Sequence, residues 1–333
     1  MNAATRLGLL ATALVLAAVA RLLIGVDPAT GELEFSWPAS DWITFRFTAT
    51  IIAVLVGAGL SLSGLLLQTS LRNPLAAPSV LGVSSGAGLG VMVALLIAHH
   101  AGIETVPWFA PAIIGALIAV GIVLVLGRRD GWPDPVTTIL AGVIVATMAG
   151  AGMVLMQSML PADTRGRFLA WAMGTIPDLA APGPLWGLTA LVLAATSWAW
   201  ISARRLDALR LDEASAQTIG AGPEPLRLVC LVLAGVVTAM TVAICGPLGF
   251  VGLLGPHVAR LLVGPSHRLL VPAAVLTGGM VLVGADVFRQ LISLETGRLP
   301  VGVVTTLAGG PFFLWLLTTS RTGEWRGDSH ASV

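Results

Sequence analysis

From Leu7 to Thr319 the chain reads as one apolar run after another, each cut off by Pro, Gly or Arg. The runs fall at 7–26, 43–69, 82–98, 109–127, 136–159, 184–202, 226–245, 248–263, 269–291 and 301–319. A helix needs about 20 apolar residues to cross roughly 30 Å of hydrocarbon. In lipid it must also satisfy its backbone N–H and C=O groups internally. Ten such runs leave little of the 333 residues for anything but short connections. Charged residues make up 11%, against about 25% in a soluble domain. The expected fold class is therefore all-α integral membrane, about ten transmembrane helices forming a single domain over 1–333. The run at 248–263 is the weakest helix, diluted by Gly246, Gly249, Gly252 and Pro256.

Arginine placement sets the expected orientation. Twelve of the 18 arginines fall on one side of this topology: Arg6, Arg72, Arg128, Arg129, Arg204, Arg205, Arg210, Arg227, Arg260, Arg268, Arg321 and Arg326. The positive-inside rule then predicts a multi-pass protein of the cytoplasmic (inner) membrane with both termini in the cytoplasm, including a tail over 321–333. Arg6, Leu7–Val19 and Ala18-Val19-Ala20 imitate a cleavable signal peptide. Arg21 follows at once and Leu22–Val26 stays apolar, so the segment is expected to remain as the first span.

The chain contains no lysine. A Walker A loop needs one to reach the β- and γ-phosphates, so any ATP-driven work, and the ATP and Mg that go with it, belongs to another polypeptide. Net charge of +1 gives no reason to expect nucleic acid. No metal site or cofactor is expected. Cys230 and Cys245 lie too far apart along one predicted helix to pair, and His99 and His100, adjacent on a helix, diverge by about 100°. Asp286 is the one clear intramembrane acid, and Arg289 lies three residues on, close enough to pair. His257 and Arg260, one turn apart, are expected to cap carbonyls at a helix end rather than meet a partner.

Gly82, Gly86 and Gly90, four apart, predict a helix face on which another backbone can pack closely; Gly142, Ala146 and Gly150 repeat the pattern. Two polar stretches are too long for tight turns: Val26–Trp42, an outer loop, and Ser202–Arg227, the largest inner one. Within the latter, Asp212–Ile219 can form a short helix with acidic residues in its first turn and Gly220 as its stop.

Three stretches carry more than composition: Gly57–Gly90, with RNPLA…LGVSSGA; Gly246–Gly264 (GPLGFVGLLGPHVARLLVG); and Leu299–Leu317 (LPVGVVTTLAGGPFFLWLL). Together they resemble the FecCD-type permeases, the membrane subunits of ABC importers for ferric siderophores, haem and cobalamin, in the family's order from about residue 43 to 319. The resemblance implies a type II ABC importer permease fold and a chain that is not itself an enzyme. It further implies a dimer with a second permease subunit, identical or related, an ABC ATPase subunit dimer and an extracytoplasmic substrate-binding protein, all set in membrane lipid. The loop at 203–226 would be the coupling element, with Leu211, Asp212, Glu213, Ala214, Ser215, Gln217, Ile219 and Gly220 docking on the ATPase. Relatives carry R-L-P-R at the outer start of the second span. This chain has Arg46-Phe47-Thr48-Ala49, so Arg46, with Arg289 and Arg298, is the expected docking set for the binding protein. The expected cargo is a ferric siderophore, with haem or cobalamin as alternatives. A secondary transporter would place several carboxylates at the midplane, which Asp286 alone does not supply.

Overall fold

The structure, a computed structural model, describes residues 2–26, 33–37, 40–103, 106–209, 223–292 and 299–319. Ten long or apolar helices stand where the runs predict them. They are α1 (Ala3–Leu23), α2 (Ser40–Ser70), α3 (Val83–His100), α4 (Phe109–Leu126), α5 (Pro135–Ser158), α7 (Pro182–Ile201), α9 (Pro223–Cys245), α10 (Val251–Val263), α11 (His267–Gln290) and α12 (Val301–Thr319). Eight of the ten are long and apolar enough to cross a membrane, and Val251–Val263 and Val301–Trp315 are shorter apolar helices. Hydropathy does not announce two further helices, α6 (Ala162–Ala172) and α8 (Ala203–Ala208), because both are short and carry charged residues.

The helix α2 is the pillar of the bundle, buried along most of its length from Ala49 to Ser70. Its glycines explain how one helix can touch so many. A Cβ on Gly57 would run into the Gly278 backbone of α11, and one on Gly64 into the Gly252 backbone of α10. Seven residues apart, these two share a face. Gly59, about 200° round from Gly57, meets Val237 and Thr241 of α9 and Val192 of α7 instead. Helix α1 lies along α11, and α3 pairs with α4.

The α3–α4 contact is the close backbone approach expected of the glycines, but through two of the three. A side chain on Gly86 or Gly90 would overlap Gly115 or the Pro111 carbonyl of α4. Gly82 is a correction: it precedes α3, closes a 3-10 turn (Pro78–Leu81) and adopts φ +68, a left-handed conformation that glycine tolerates without a Cβ clash. Likewise Gly142 receives the Val80 carbonyl of that turn, whereas Gly150 faces open space, with nothing within 4 Å of where a Cβ would stand.

The predicted boundaries shift at a strand pairing and at a left-handed residue. The first helix ends at Leu23, and Ile24–Val26 (β1) pairs antiparallel with Leu33–Phe35 (β2). Gly25 leaves room for the Arg46 guanidinium, which occupies the space a side chain would need. Helix α10 starts at Val251 rather than 248 because Phe250 takes φ +63. At the start of α5, Asp134 caps the helix by accepting from Thr137 N–H at 2.9 Å and Thr137 Oγ1 at 2.8 Å. Those bonds hold its carboxyl below the ordinary 3.8. The cap's contribution is therefore full above the unfolded value and fades as pH falls through the lower, folded one. Asp134→Ala is expected to cost about 1 kcal/mol at neutral pH. The difference in melting temperature from wild type should close in acid.

Candidate functional site at the arginine-rich end of the bundle

Among the described residues, nine arginines lie at the end of the bundle that holds the start of α1 and five at the other. The denser end also receives both stems of the long polar loop, and there the arginines act on the chain's own carbonyls. Leu209 is the last described residue before the loop. Its carbonyl accepts from Arg72 Nε at 2.9 Å. Arg72 reaches it by a left-handed turn, φ +49, just past the end of α2. The returning stem opens α9, where buried Arg227 donates Nε to the Ser70 carbonyl at 3.1 Å and Nη1 to the Pro133 carbonyl at 3.0 Å. Cations belong at a helix C-terminus, whose last carbonyls have no intrahelical donor. Both stems are thus fastened to the end of α2.

A second fastening runs to α11. Asp207 of α8 accepts from the His267 backbone N–H at 2.9 Å and from its ring Nδ1 at 2.6 Å. Asp207 thereby caps α11 from another element, a task the adjoining Ser266 side chain does not perform for its own helix. The other ring nitrogen, Nε2, meets Thr69 Oγ1 of α2 at 2.8 Å. One histidine, buried to 1% exposure, therefore ties α8, α11 and α2 together. Displacing the loop stems would load α2 and α11 directly, without a flexible joint between. Sequence reasoning missed Asp207, His267 and Arg227 in these roles; their partners are 60 to 198 residues away.

The opposite end is held by charge. Asp286, fully buried, accepts from Arg21 and from Arg289, the latter at 2.8 Å through Nε and 2.7 Å through Nη2. The pairing with Arg289 is as expected; Arg21 is the added partner. Two cations on one anion leave a net positive charge, which the C-terminal ends of α1 and α11 offset. Gln290, its amide oriented by its neighbours, bridges Arg21 Nε and the Ile24 carbonyl, each at 2.9 Å. Arg46 Nη1 donates to the Leu22 carbonyl at 3.2 Å. Of the arginines expected to meet a binding protein, Arg289 is 8% exposed and turned to Asp286, Arg46 is half-buried, and Arg298 lies outside the described residues. So do Leu211 through Gly220 and the tail over 321–333.

Between the two ends the bundle contains an interrupted pair. Helix α9 stops at Cys245, the chain crosses Gly246–Phe250 without helix, and α10 returns through 13 residues. The end of α9 is satisfied at this break: Thr175 N–H donates to the Cys245 carbonyl at 2.7 Å and Gly246 N–H to the Val242 carbonyl at 2.8 Å. His257 does not cap the end of α10. It sits against Phe312 and Phe313 of α12, ring centroids 6.0 and 6.2 Å away. Arg260 Nη2 donates to Gln68 Oε1 at 3.2 Å. His99 and His100 are exposed at the end of α3, and among the described residues no His, Cys, Asp or Glu cluster could hold a metal.

A profile of the FecCD transport family matches residues 7–319. A cobalamin import system permease of Halobacterium salinarum is 37% identical over 86% of this chain and 76% of its own length. An Fe(3+)-citrate import system permease of Bacillus subtilis is 33% identical over 82% of this chain and 80% of its own length. A solved structure described as an inward-facing metal-chelate type ABC transporter superposes with a TM-score of 0.83, at 29% identity, over 95% of this chain and 99% of that one.

Proposed function

Because the chain belongs to the FecCD transport family, we propose that it is the membrane-spanning permease subunit of an ATP-driven importer for metal chelates. In this reading a ferric siderophore is the cargo, with cobalamin or haem as the alternatives. The observation that carries it is the double fastening of the loop stems. Arg72 and Arg227 secure the two stems to α2, and Asp207 secures the incoming stem to α11 through His267. Such a mounting suits a segment that must pass an external force into the bundle, and shifts of packed helices are how such forces open and close a path. The segment on that mounting, Leu211–Gly220, is read as the contact for a partner ATPase dimer, which supplies ATP and Mg chemistry to a lysine-free chain.

The remaining assignments follow from this one. The arginine-rich end is placed in the cytoplasm, with both termini on that side. The opposite end, where Arg46 stands, faces a substrate-binding protein, and Arg298 is read as part of the same docking set. A second permease subunit completes the pathway. The chelate's organic shell is the recognised surface, so the pathway needs no ligand for the bare metal. A relative named for Fe(3+)-citrate import supports iron as cargo; one named for cobalamin import supports the alternative.

Deleting Asp212–Gly220 tests the reading. Uptake of labelled cargo and co-purification of the ATPase should both be lost, while the permease alone keeps its melting temperature. Uptake at the wild-type rate after the deletion would refute it. Offering ferric siderophores, haem and cobalamin in turn to cells that depend on this importer separates the three cargoes.

A further inference from the structure

At the arginine-rich end, the last turn of α2, the last turn of α10 and the start of α11 surround a cavity of about 270 Å³. Its polar wall is made of Gln68, Thr69, Arg72, Arg260 and His267, with Pro74 and Leu270 as the apolar sides. Among the described residues no Asp or Glu lines it. The carboxylate that touches this wall from behind, Asp207, lies on the other nitrogen of His267 and already accepts the α11 N–H. Thr69 Oγ1 is engaged by the Leu65 carbonyl and His267. Arg260 holds Gln68 by its carbonyl oxygen, which leaves the amide nitrogen as the free end. That nitrogen is buried, in a residue 5% exposed, and has no hydrogen-bond partner among the described residues.

A buried amide N–H without an acceptor costs about 1–3 kcal/mol, and it is set here in a wall with two guanidinium groups and an imidazole. With Arg72, whose Nε is held by the Leu209 carbonyl, the unpartnered Gln68 amide presents donors and positive charge to the cavity. The ligand chemistry that satisfies it is an oxyanion, which Arg receives with charge-assisted bonds. We propose that this cavity binds a phosphate group, contacted by Gln68 Nε2 and Arg72. The cavity opens at the level where α2 ends. The phosphate therefore comes either from an anionic phospholipid headgroup, for which basic pockets between spanning helices are suited, or from soluble phosphate. Placing the cavity at the cytoplasmic leaflet rests on the orientation proposed above; the binding itself does not, and its test uses no transport.

The full chain in phosphatidylcholine nanodiscs provides both arms. Phosphatidylglycerol is added to the discs and its retention read by native mass spectrometry; inorganic phosphate is titrated separately and read as a rise in melting temperature. A response in the lipid arm identifies a headgroup site, and a response in the phosphate arm alone identifies a soluble ligand. In the responding arm Gln68→Glu, nearly the same shape but with a carboxylate at the wall, should weaken binding on the order of tenfold or more. Gln68→Leu, which removes the donor without adding charge, should weaken it less and guards against misfolding of the first variant. No response in either arm, or wild-type binding by both variants, would overturn the proposal.

Discussion

Asp286→Ala is expected to leave little folded protein. The substitution strands Arg21 and Arg289, at 3% and 8% exposure, without the carboxylate that both face. Removing one member of a buried ion pair costs about 3–5 kcal/mol, because the partner charge stays behind. It also weakens the tie between α1 and α11, leaving Gln290 as the polar contact to Arg21 and the Ile24 carbonyl. The measurement is the monodisperse yield and melting temperature of the detergent-solubilised chain. A double variant, Arg21→Met with Asp286→Ala, removes one stranded cation and should recover part of the loss. Recovery separates a stranded charge from a simple packing defect, which the second substitution would not repair. If Asp286→Ala melted with the wild type, the triad would have no structural weight.

The second large effect is expected at Gly278, and its neighbour supplies the control. Helices α2, α10 and α11 meet where Ser61 Oγ donates to the Ala274 carbonyl at 2.6 Å and Thr277 Oγ1 to the Gly255 carbonyl at 2.8 Å. A Cβ on Gly278 would overlap the Gly57 carbonyl and Ser61 Cβ, with Gly57 C at 3.0 Å. The obstruction is largely backbone of the most enclosed helix in the bundle, so nothing can rotate aside. Gly278→Ala should cost about 3 kcal/mol, at the upper end for overpacking a well-filled interior. One residue on, a Cβ on Gly279 would find Leu14 Cδ1 at 3.3 Å and the Val54 carbonyl at 3.4 Å. The nearest of these is the end of a flexible side chain. Gly279→Ala should be neutral or slightly stabilising, since Ala is favoured over Gly in a helix by about 1 kcal/mol. Thermal melts of the two variants side by side decide the matter; equal behaviour would contradict the close α2–α11 contact.

Much of the fold was legible because membrane insertion is read locally. Each apolar run carries its own transfer free energy and its own hydrogen bonds, so the ten helices fall within a few residues of the predicted runs. The short helix α10 was legible too, through Gly249, Gly252 and Pro256. Errors gathered where a remote group sets the conformation. Nothing near Gly25 says that Arg46 will fill the space beside it, and nothing near Gly82 says that a 3-10 turn will precede α3. The spacing of Gly82, Gly86 and Gly90 implied one shared face, yet the first sits in the left-handed joint between the 3-10 turn and α3. In the candidate site, the motif that marks the loop was readable and its mounting was not. An arginine at position 72 or 227 looks like any arginine at a membrane surface until the carbonyls of Leu209, Ser70 and Pro133 are brought to it.

Consecutive residues alone dictate that this chain spans a membrane about ten times, in which order, and that it holds no Walker lysine for ATP. These are properties of composition and of local runs, for which the bilayer acts as a uniform solvent. Helix packing in three dimensions was needed to assign which charges neutralise one another, which glycines admit a neighbouring backbone, and which helices receive the stems of the long loop. Those outcomes depend on groups as much as 265 residues apart meeting at hydrogen-bond distance, and the geometry of that meeting is set by how the helices pack.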